Sequence, residues 1–221
     1  MSSSRNLVQK TASASLAVQF LAGITTIATF FIPGPTNYEY TNDVKLIVGI
    51  EGASQVVEFI YYFVAVMFFK GDISTWTRYI DWYISTPVML LSTAMFFVHR
   101  ARGDILSVLD IQNSPHMFTA FALNALMLSF GLAMELNTIP RVIGVGFGTL
   151  AFTASFSFVG RYVDDTDSMS YILFWCIFGV WLMYGAAATF PYIPRNVMYN
   201  LLDIVSKNFY GVFLFVYLLT R

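Results

Sequence analysis

The chain alternates between long apolar runs and short clusters of breakers and charge. Seven runs stand out, at 13–32, 46–69, 77–98, 117–136, 141–161, 169–190 and 196–220. A bilayer's hydrocarbon core is about 30 Å thick and takes roughly 20 residues of helix, so each run predicts one membrane-spanning helix. The intervals carry Pro33-Gly34-Pro35, Lys70-Gly71-Asp72, Arg100 to Asp104, Asn137 to Pro140, Asp164-Asp165-Thr166-Asp167 and Pro191 to Pro194. The pattern predicts an all-α membrane protein, a seven-transmembrane-helix bundle forming a single domain over residues 1–221, without an internal repeat. The first run is too long for the core of a cleavable signal peptide, and no small-residue cleavage site follows it. It reads as a span behind a short polar segment, Met1 to Lys10.

Composition agrees. Charged residues make up 11% of the chain and hydrophobic ones 57%, against roughly 25% charged in a soluble domain. That excludes a disordered chain, a nucleic-acid binder with a basic face and most soluble enzymes, and no enzymatic activity is expected. The net charge of −1 points to no acidic or basic partner. One cysteine, Cys176, excludes an intrachain disulfide and a thiolate metal cage. The two histidines, His99 and His116, lie near predicted helix ends and read as solvated loop residues, so no metal site is expected. The basic residues divide evenly, with Lys45, Arg100, Arg102, Arg161 and Arg221 on one side and Arg5, Lys10, Lys70, Arg141 and Arg195 on the other. The positive-inside rule therefore leaves orientation open.

Ionisable residues at membrane depth are costly and usually functional. Glu51, Glu58, Arg78, Asp81, Asp203 and Lys207 fall well inside predicted spans. Asp203 and Lys207 are one helical turn apart, with a long apolar stretch following the lysine. Such a lysine is too deep to snorkel comfortably. It must lose its proton or find a carboxylate, and a desolvated amine is also a nucleophile toward aldehydes. A structural ion pair with Asp203 is the plainer alternative. In the third span, Arg78, Asp81, Ser85, Met89 and Ser92 share one face. Pro87 removes a backbone hydrogen bond there, which neighbouring hydroxyls can offset.

Two segments carry a family resemblance. Arg78-Tyr79-Ile80-Asp81-Trp82, with Pro87 five residues further on, and Asp203-Ile204-Val205-Ser206-Lys207 stand in the third and seventh spans. Together they resemble the Arg-Tyr-x-Asp-Trp and Asp-x-x-x-Lys segments of the microbial (type 1) rhodopsins, and the chain also looks like viral rhodopsins from giant viruses. The resemblance implies a central retinal pocket, with all-trans retinal held on Lys207 as a protonated Schiff base. It implies Asp81 and Asp203 as counterions, steadied by Arg78. It also implies a pocket lined by Tyr79, Trp82, Thr86, Met127, Gly131, Trp175 and Phe178. The helix-six pattern Trp-x-x-Tyr-Pro is matched there by Trp175-Cys176-Ile177-Phe178-Gly179, with Trp181 a rival tryptophan.

For transport, the residues point in more than one direction. Proton pumps of the family carry a donor carboxylate eleven residues after the first acid; here that position is Ser92, and Ser85 stands one turn from Asp81. The connection from Gly185 to Asn200 has no acid for proton release. In the second span, Glu51, Gln55, Glu58 and Tyr62 form a polar stripe, and rows of carboxylates build cation pathways. The stripe resembles the glutamate row of channelrhodopsins, with Asn208 and Asn200 extending it. A light-gated cation channel is the expected function, with an outward proton pump lacking a carboxylate donor, or a photosensor coupled to a partner protein, as alternatives. The expected partners are retinal, membrane lipid, transported cations or protons, and further copies of the chain in a homo-oligomer.

Overall fold

The computed structural model describes residues 2–32, 38–70, 74–112 and 115–220. The helices are α1 (Ser2–Thr29), α2 (Tyr38–Met67), α3 (Arg78–Arg100), α4 (His116–Glu135), α5 (Arg141–Val159), α6 (Ser168–Ala187), α7 (Tyr192–Asp203) and α8 (Phe209–Leu219). A π-helical turn, Ile204–Asn208, joins α7 to α8. The last span, Tyr192–Leu219, is thus one continuous rod, and the described residues hold seven helices of membrane-spanning length and apolarity. The chain is a multi-pass integral membrane protein with a seven-helix bundle fold.

The helices run beyond the expected spans at several ends. α1 begins at Ser2, taking in the polar segment read as preceding the span. α2 begins at Tyr38, eight residues earlier than hydropathy alone indicates. Backbone hydrogen bonding continues a helix through polar residues where the headgroup region supplies water, so apolarity underestimates its length. Pro33-Gly34-Pro35 and Gly71-Asp72 lie outside the described residues.

Burial follows charge rather than hydrophobicity. α3 is the central helix: Arg78, Tyr79, Asp81, Trp82, Ser85, Thr86, Met89 and Ser92 are all buried, and Ile80 and Ile84 face outward. Lipid is as apolar as Leu, so the polar face turns inward. Pro87 sits inside α3. The Thr86 hydroxyl donates to the Trp82 carbonyl at 2.7 Å, beside the Tyr83 carbonyl that proline leaves free, and accepts from Asn124 Nδ2 on α4 at 2.7 Å. α4 and α5 approach closely at Gly144, where a Cβ would stand 2.6 Å from that of Met134.

At one end of the bundle, Arg100 binds Asp167 through two nitrogens, at 2.9 and 2.5 Å, and reaches the Tyr217 hydroxyl at 3.3 Å. Asp167 also caps α6, accepting from the Ser170 amide and hydroxyl. These bonds hold its carboxyl far below the usual aspartate range, Arg100 contributing most. A depressed carboxyl stabilises the fold above its unfolded value, about 3.9, and the contribution fades as pH falls through that value toward the folded one. Asp167→Asn should therefore lower the melting temperature by several degrees at neutral pH and weaken the destabilisation between pH 5 and 3. Thermal unfolding in detergent across that range measures both.

Candidate functional site

Lys207 projects from the π turn into the bundle centre and is 2% exposed. Its Nζ donates to Asp81 Oδ2 at 2.9 Å, with Glu58 Oε1 at 3.6 Å and Asp203 Oδ1 at 4.0 Å. α2, α3 and the last span thus each contribute one carboxylate. Asp203 Oδ2 accepts from Tyr62 at 2.6 Å and Arg78 Nη1 at 3.4 Å, and Oδ1 from Tyr184 at 2.7 Å. Arg78 also donates to Asn200 at 2.5 Å, to Tyr62 at 3.1 Å and to Asn196 at 3.3 Å. At Asp203 and Arg78 these bonds offset the cost of burying charge, whereas Asp81 Oδ1 and both Glu58 oxygens have no hydrogen-bond partner in the protein. Lys207 and Arg78 balance two of the three carboxylates; the third requires a proton or another cation.

Asp81 and Asp203 flank Lys207, and Arg78 contacts Asp203, the arrangement that the family resemblance implies. Glu58, expected as part of an ion path, also faces the lysine. Tyr184 was missed, although its hydroxyl is shared between Asp203 and Ser206. A tyrosine in an aromatic-rich helix carries no sequence signal of its own; the signal is Trp181 three residues before it.

Beside Lys207 lies a cavity with a mostly apolar lining. It is bounded by Tyr79, Trp82 and Thr86 of α3, Met127 and Gly131 of α4, Gly144, Gly148 and Phe152 of α5, and Trp181, Tyr184 and Gly185 of α6. Trp82 stands edge-on to Tyr184 and Tyr199, with centroids 5.6 and 5.1 Å away. Gly131 has a steric reason, since a Cβ there would lie 2.6 Å from the Tyr79 hydroxyl. Trp175 and Phe178 do not line the cavity. Trp175 is 50% exposed on the outer face of α6, and the Phe178 ring stacks on Phe152 at 5.0 Å. The lining pair is Trp181 and Tyr184, a Trp-x-x-Tyr run followed by Gly185. Six residues turn a helix about 240°, which is why the expected tryptophan faces outward.

A polar seam runs from the amine between α1, α2, α3 and α8. Glu51, Ser54, Gln55, Glu58, Ser85, Ser92 and Asn208 are all buried in it. Ser92 donates to Glu51 Oε2 at 2.7 Å, and Thr26 to Gln55 Oε1 at 2.7 Å. Glu51 Oε1, Ser54 Oγ, Gln55 Nε2 and both amide atoms of Asn208 have no protein hydrogen-bond partner. Buried polar atoms are rarely left so, and water is their usual partner in such sites. At the Arg100 end, His99 is buried and its Nδ1 lies 3.3 Å from Asp43 Oδ2, not in a solvated loop. His116 is half-buried against Phe158, with centroids 6.0 Å apart. The opposite end is tied by Glu135 Oε1, 3.0 Å from Arg195 and 3.5 Å from Arg141.

A family profile described as bacteriorhodopsin-like protein matches residues 10–221. The chain belongs to that family. Among solved structures it is similar to the viral rhodopsin OLPVRII, with 24% identity, 96% of this chain and 97% of that one covered, and a TM-score of 0.81. It is also similar to a light-driven proton pump from Leptosphaeria maculans, at 16% identity, 95% and 93% coverage and a TM-score of 0.67. Halorhodopsin, a light-driven chloride pump, follows at 17% identity, 95% and 93% coverage and a TM-score of 0.66. No curated protein sequence matches the chain. At such identities these likenesses concern the fold, and one fold serves differing transport in these proteins.

The wall geometry distinguishes the two tryptophans of α6. Trp181→Ala should lower the yield of coloured protein after addition of all-trans retinal several-fold, and Trp175→Ala should leave it unchanged. Absorption titration of both variants checks this; equal yields would contradict the assigned wall.

Proposed function

We propose that the protein is a retinal photoreceptor that conducts cations passively when illuminated. The observation carrying the cofactor reading is Lys207, a buried amine lining a mostly apolar cavity, with carboxylates at 2.9, 3.6 and 4.0 Å. The cavity fits the group: its lining is mostly aromatic, methionine, aliphatic and glycine, and Lys207 supplies an amine within it. Lys207 holds all-trans retinal covalently as a protonated Schiff base. Bound retinal supplies a light-driven isomerisation that moves positive charge within the site.

The chain's residues do the rest. Asp81 and Asp203 are the counterions, and Arg78 with Tyr62 and Tyr184 fixes the Asp203 carboxylate in place. Asp81 accepts a proton after illumination, since neutralising a desolvated pair removes its burial cost. Tyr79, Trp82, Thr86, Met127, Gly131 and Trp181 position the polyene. Glu51, Gln55, Glu58, Ser85, Ser92 and Asn208 form the cation path, supported by the buried polar atoms that lack protein partners along that seam. Water drawn through it hydrates a cation, and Glu51 and Glu58 set the sign of the permeating ion.

A second reading, an outward proton pump, draws on the Ser92–Glu51 hydrogen bond. Ser92 stands where a donor acid is usual, and Glu51 brings a carboxyl to that spot from α2. Voltage clamp under illumination with ion substitution separates the two. A channel gives currents that reverse with the cation gradient; a pump gives one-way current against it.

Lys207→Ala should abolish visible absorption after retinal is added, and a retained band would overturn the attachment site. Glu51→Gln should change conductance or selectivity if the seam conducts. In a pump it should slow recovery after a flash by about tenfold or more, by losing an acid that returns the proton. Flash photolysis together with photocurrent recording distinguishes these results, and wild-type behaviour in both measurements would remove Glu51 from the path.

A further inference from the structure

Asn200 is buried on α7, one turn before Asp203. Its amide oxygen accepts from Arg78 Nη2 at 2.5 Å and from the Tyr62 hydroxyl at 3.1 Å. Its amide nitrogen donates to the Thr11 hydroxyl at 2.8 Å and to the Val8 carbonyl at 3.2 Å, both on α1. A primary amide has two lone pairs and two hydrogens to share, so every one of them is used. Asn200 thus joins the charge cluster to the first helix.

The orientation of that amide is set from α1. Thr11 Oγ1 lies 3.0 Å from the Leu7 and Val8 carbonyls and donates its one hydrogen to them. Its lone pairs remain for Asn200, and the Val8 carbonyl can only accept. Both groups therefore demand the NH2 side of the amide, which turns the oxygen toward Arg78. Turned the other way, the amide would set N–H against N–H at Arg78 and oxygen against oxygen at Val8. With its oxygen so aimed, Asn200 supports the guanidinium where Arg78 Nη1 reaches Asp203 Oδ2 at 3.4 Å. That contact is long for a charge-assisted hydrogen bond, whereas the bond to Asn200 is short. Arg78 is placed there by its neutral partners more than by the carboxylate.

We infer that Asn200 is a positioning residue: clamped by Thr11 and Val8, it holds the Arg78 guanidinium beside Asp203 and so sets the charge balance around Lys207. Three carboxylates, Asp81, Glu58 and Asp203, face two cations there, Lys207 and Arg78. The other titratable groups packed against them are Tyr62 of α2 and Tyr184 of α6, both bonded to Asp203, and Tyr61 and Tyr199, whose rings lie under the guanidinium. A guanidinium drawn away leaves the carboxylates with less positive charge nearby, and one of them then binds a proton more readily. The first helix, which supplies no charge to the cluster, thereby acts on it through a hydroxyl and an amide. The colour that reports this rests on the retinal reading above; the clamp itself does not.

Two measurements on the full-length chain test the role. With all-trans retinal bound, acid titration of the visible band reads protonation of the carboxylates beside the amine. Asn200→Leu should raise its midpoint by about one pH unit or more, a tenfold gain in proton affinity. Thr11→Val should move the midpoint in the same direction, and Thr11→Ser, which keeps the hydroxyl, should leave it at the parent value. Without retinal, thermal unfolding in detergent reads the clamp. Thr11→Val should lower the melting temperature of the parent chain and leave that of Asn200→Leu unchanged, because the amide it serves is gone. Should Asn200→Leu fail to fold, the contrast between Thr11→Val and Thr11→Ser still decides. A colourless parent would remove the retinal reading, and the melting comparison would then decide the clamp. A parent midpoint in Thr11→Val, equal shifts in Thr11→Val and Thr11→Ser, or additive losses of melting temperature would overturn the role.

Discussion

A charged amine held away from water governs the architecture. An isolated ammonium in a low-dielectric interior has a prohibitive desolvation cost, so the surroundings of Lys207 are under heavy constraint. Asp81 must arrive from α3, Glu58 from α2 and Asp203 from the amine's own span, within 4.0 Å of one nitrogen. Each of those acids then imposes its own demand. Asp203 takes Arg78, Tyr62 and Tyr184, and Arg78 takes Asn196 and Asn200. The result is a chain of obligations that fixes α2, α3, α6 and α7 around one point. In a bilayer no hydrophobic force between helices does this.

This explains which parts of the molecule were legible in the sequence. Lys207, Asp81, Asp203 and Arg78 were, because a charge in an apolar run is rare and must be explained. The seven spans were, because helix length is set by the bilayer. Their ends were less so: α1 and α2 continue through polar residues that hydropathy treats as loop. The face of α6 was not legible. Nearly every position on it is apolar, its outward residues meet lipid and its inward ones meet a cavity, and both environments accept tryptophan. Tyr184, tied by its hydroxyl to Asp203, helps fix the rotation of the helix, and that tie joins residues 19 positions apart. The place of Glu58 was half legible. Its stripe on α2 was evident, but whether the stripe met Lys207 or another helix depended on the packing of α2 against the last span.

The polar seam and the apolar cavity meet at Lys207 and differ in what they need. The cavity is complete when filled by something apolar and long. The seam carries polar atoms without protein partners, at Glu51, Ser54, Gln55 and Asn208. Such atoms are destabilising unless hydrated, so the seam is the weakest part of the interior toward water. A change of charge at the amine alters the cost of hydrating that region, because Glu58 belongs to both the charge cluster and the seam. Under the proposed function, coupling between light and ion movement requires no distant relay, because the charge cluster and the seam share Glu58.

Passive and active movement differ, on this geometry, in whether access ever opens at both ends together. The ends of the bundle are tied by groups of different strength. Arg100 and Asp167 bond through two nitrogens and add Tyr217, joining α3, the start of α6 and the last span. At the other end a single Glu135 oxygen is shared between Arg195 and Arg141, so loss of either arginine contact leaves the other in place. Shared valence yields more readily than a bidentate bond, whose two hydrogen bonds must break together. The Arg100 end is therefore the one whose opening takes the larger input, and under the proposed function it is the end that would decide between the two modes. Passive conduction would need the Arg100–Asp167 pair to break while the opposite tie is also relaxed, whereas a pair that held would confine passage to a proton handed along by Glu51.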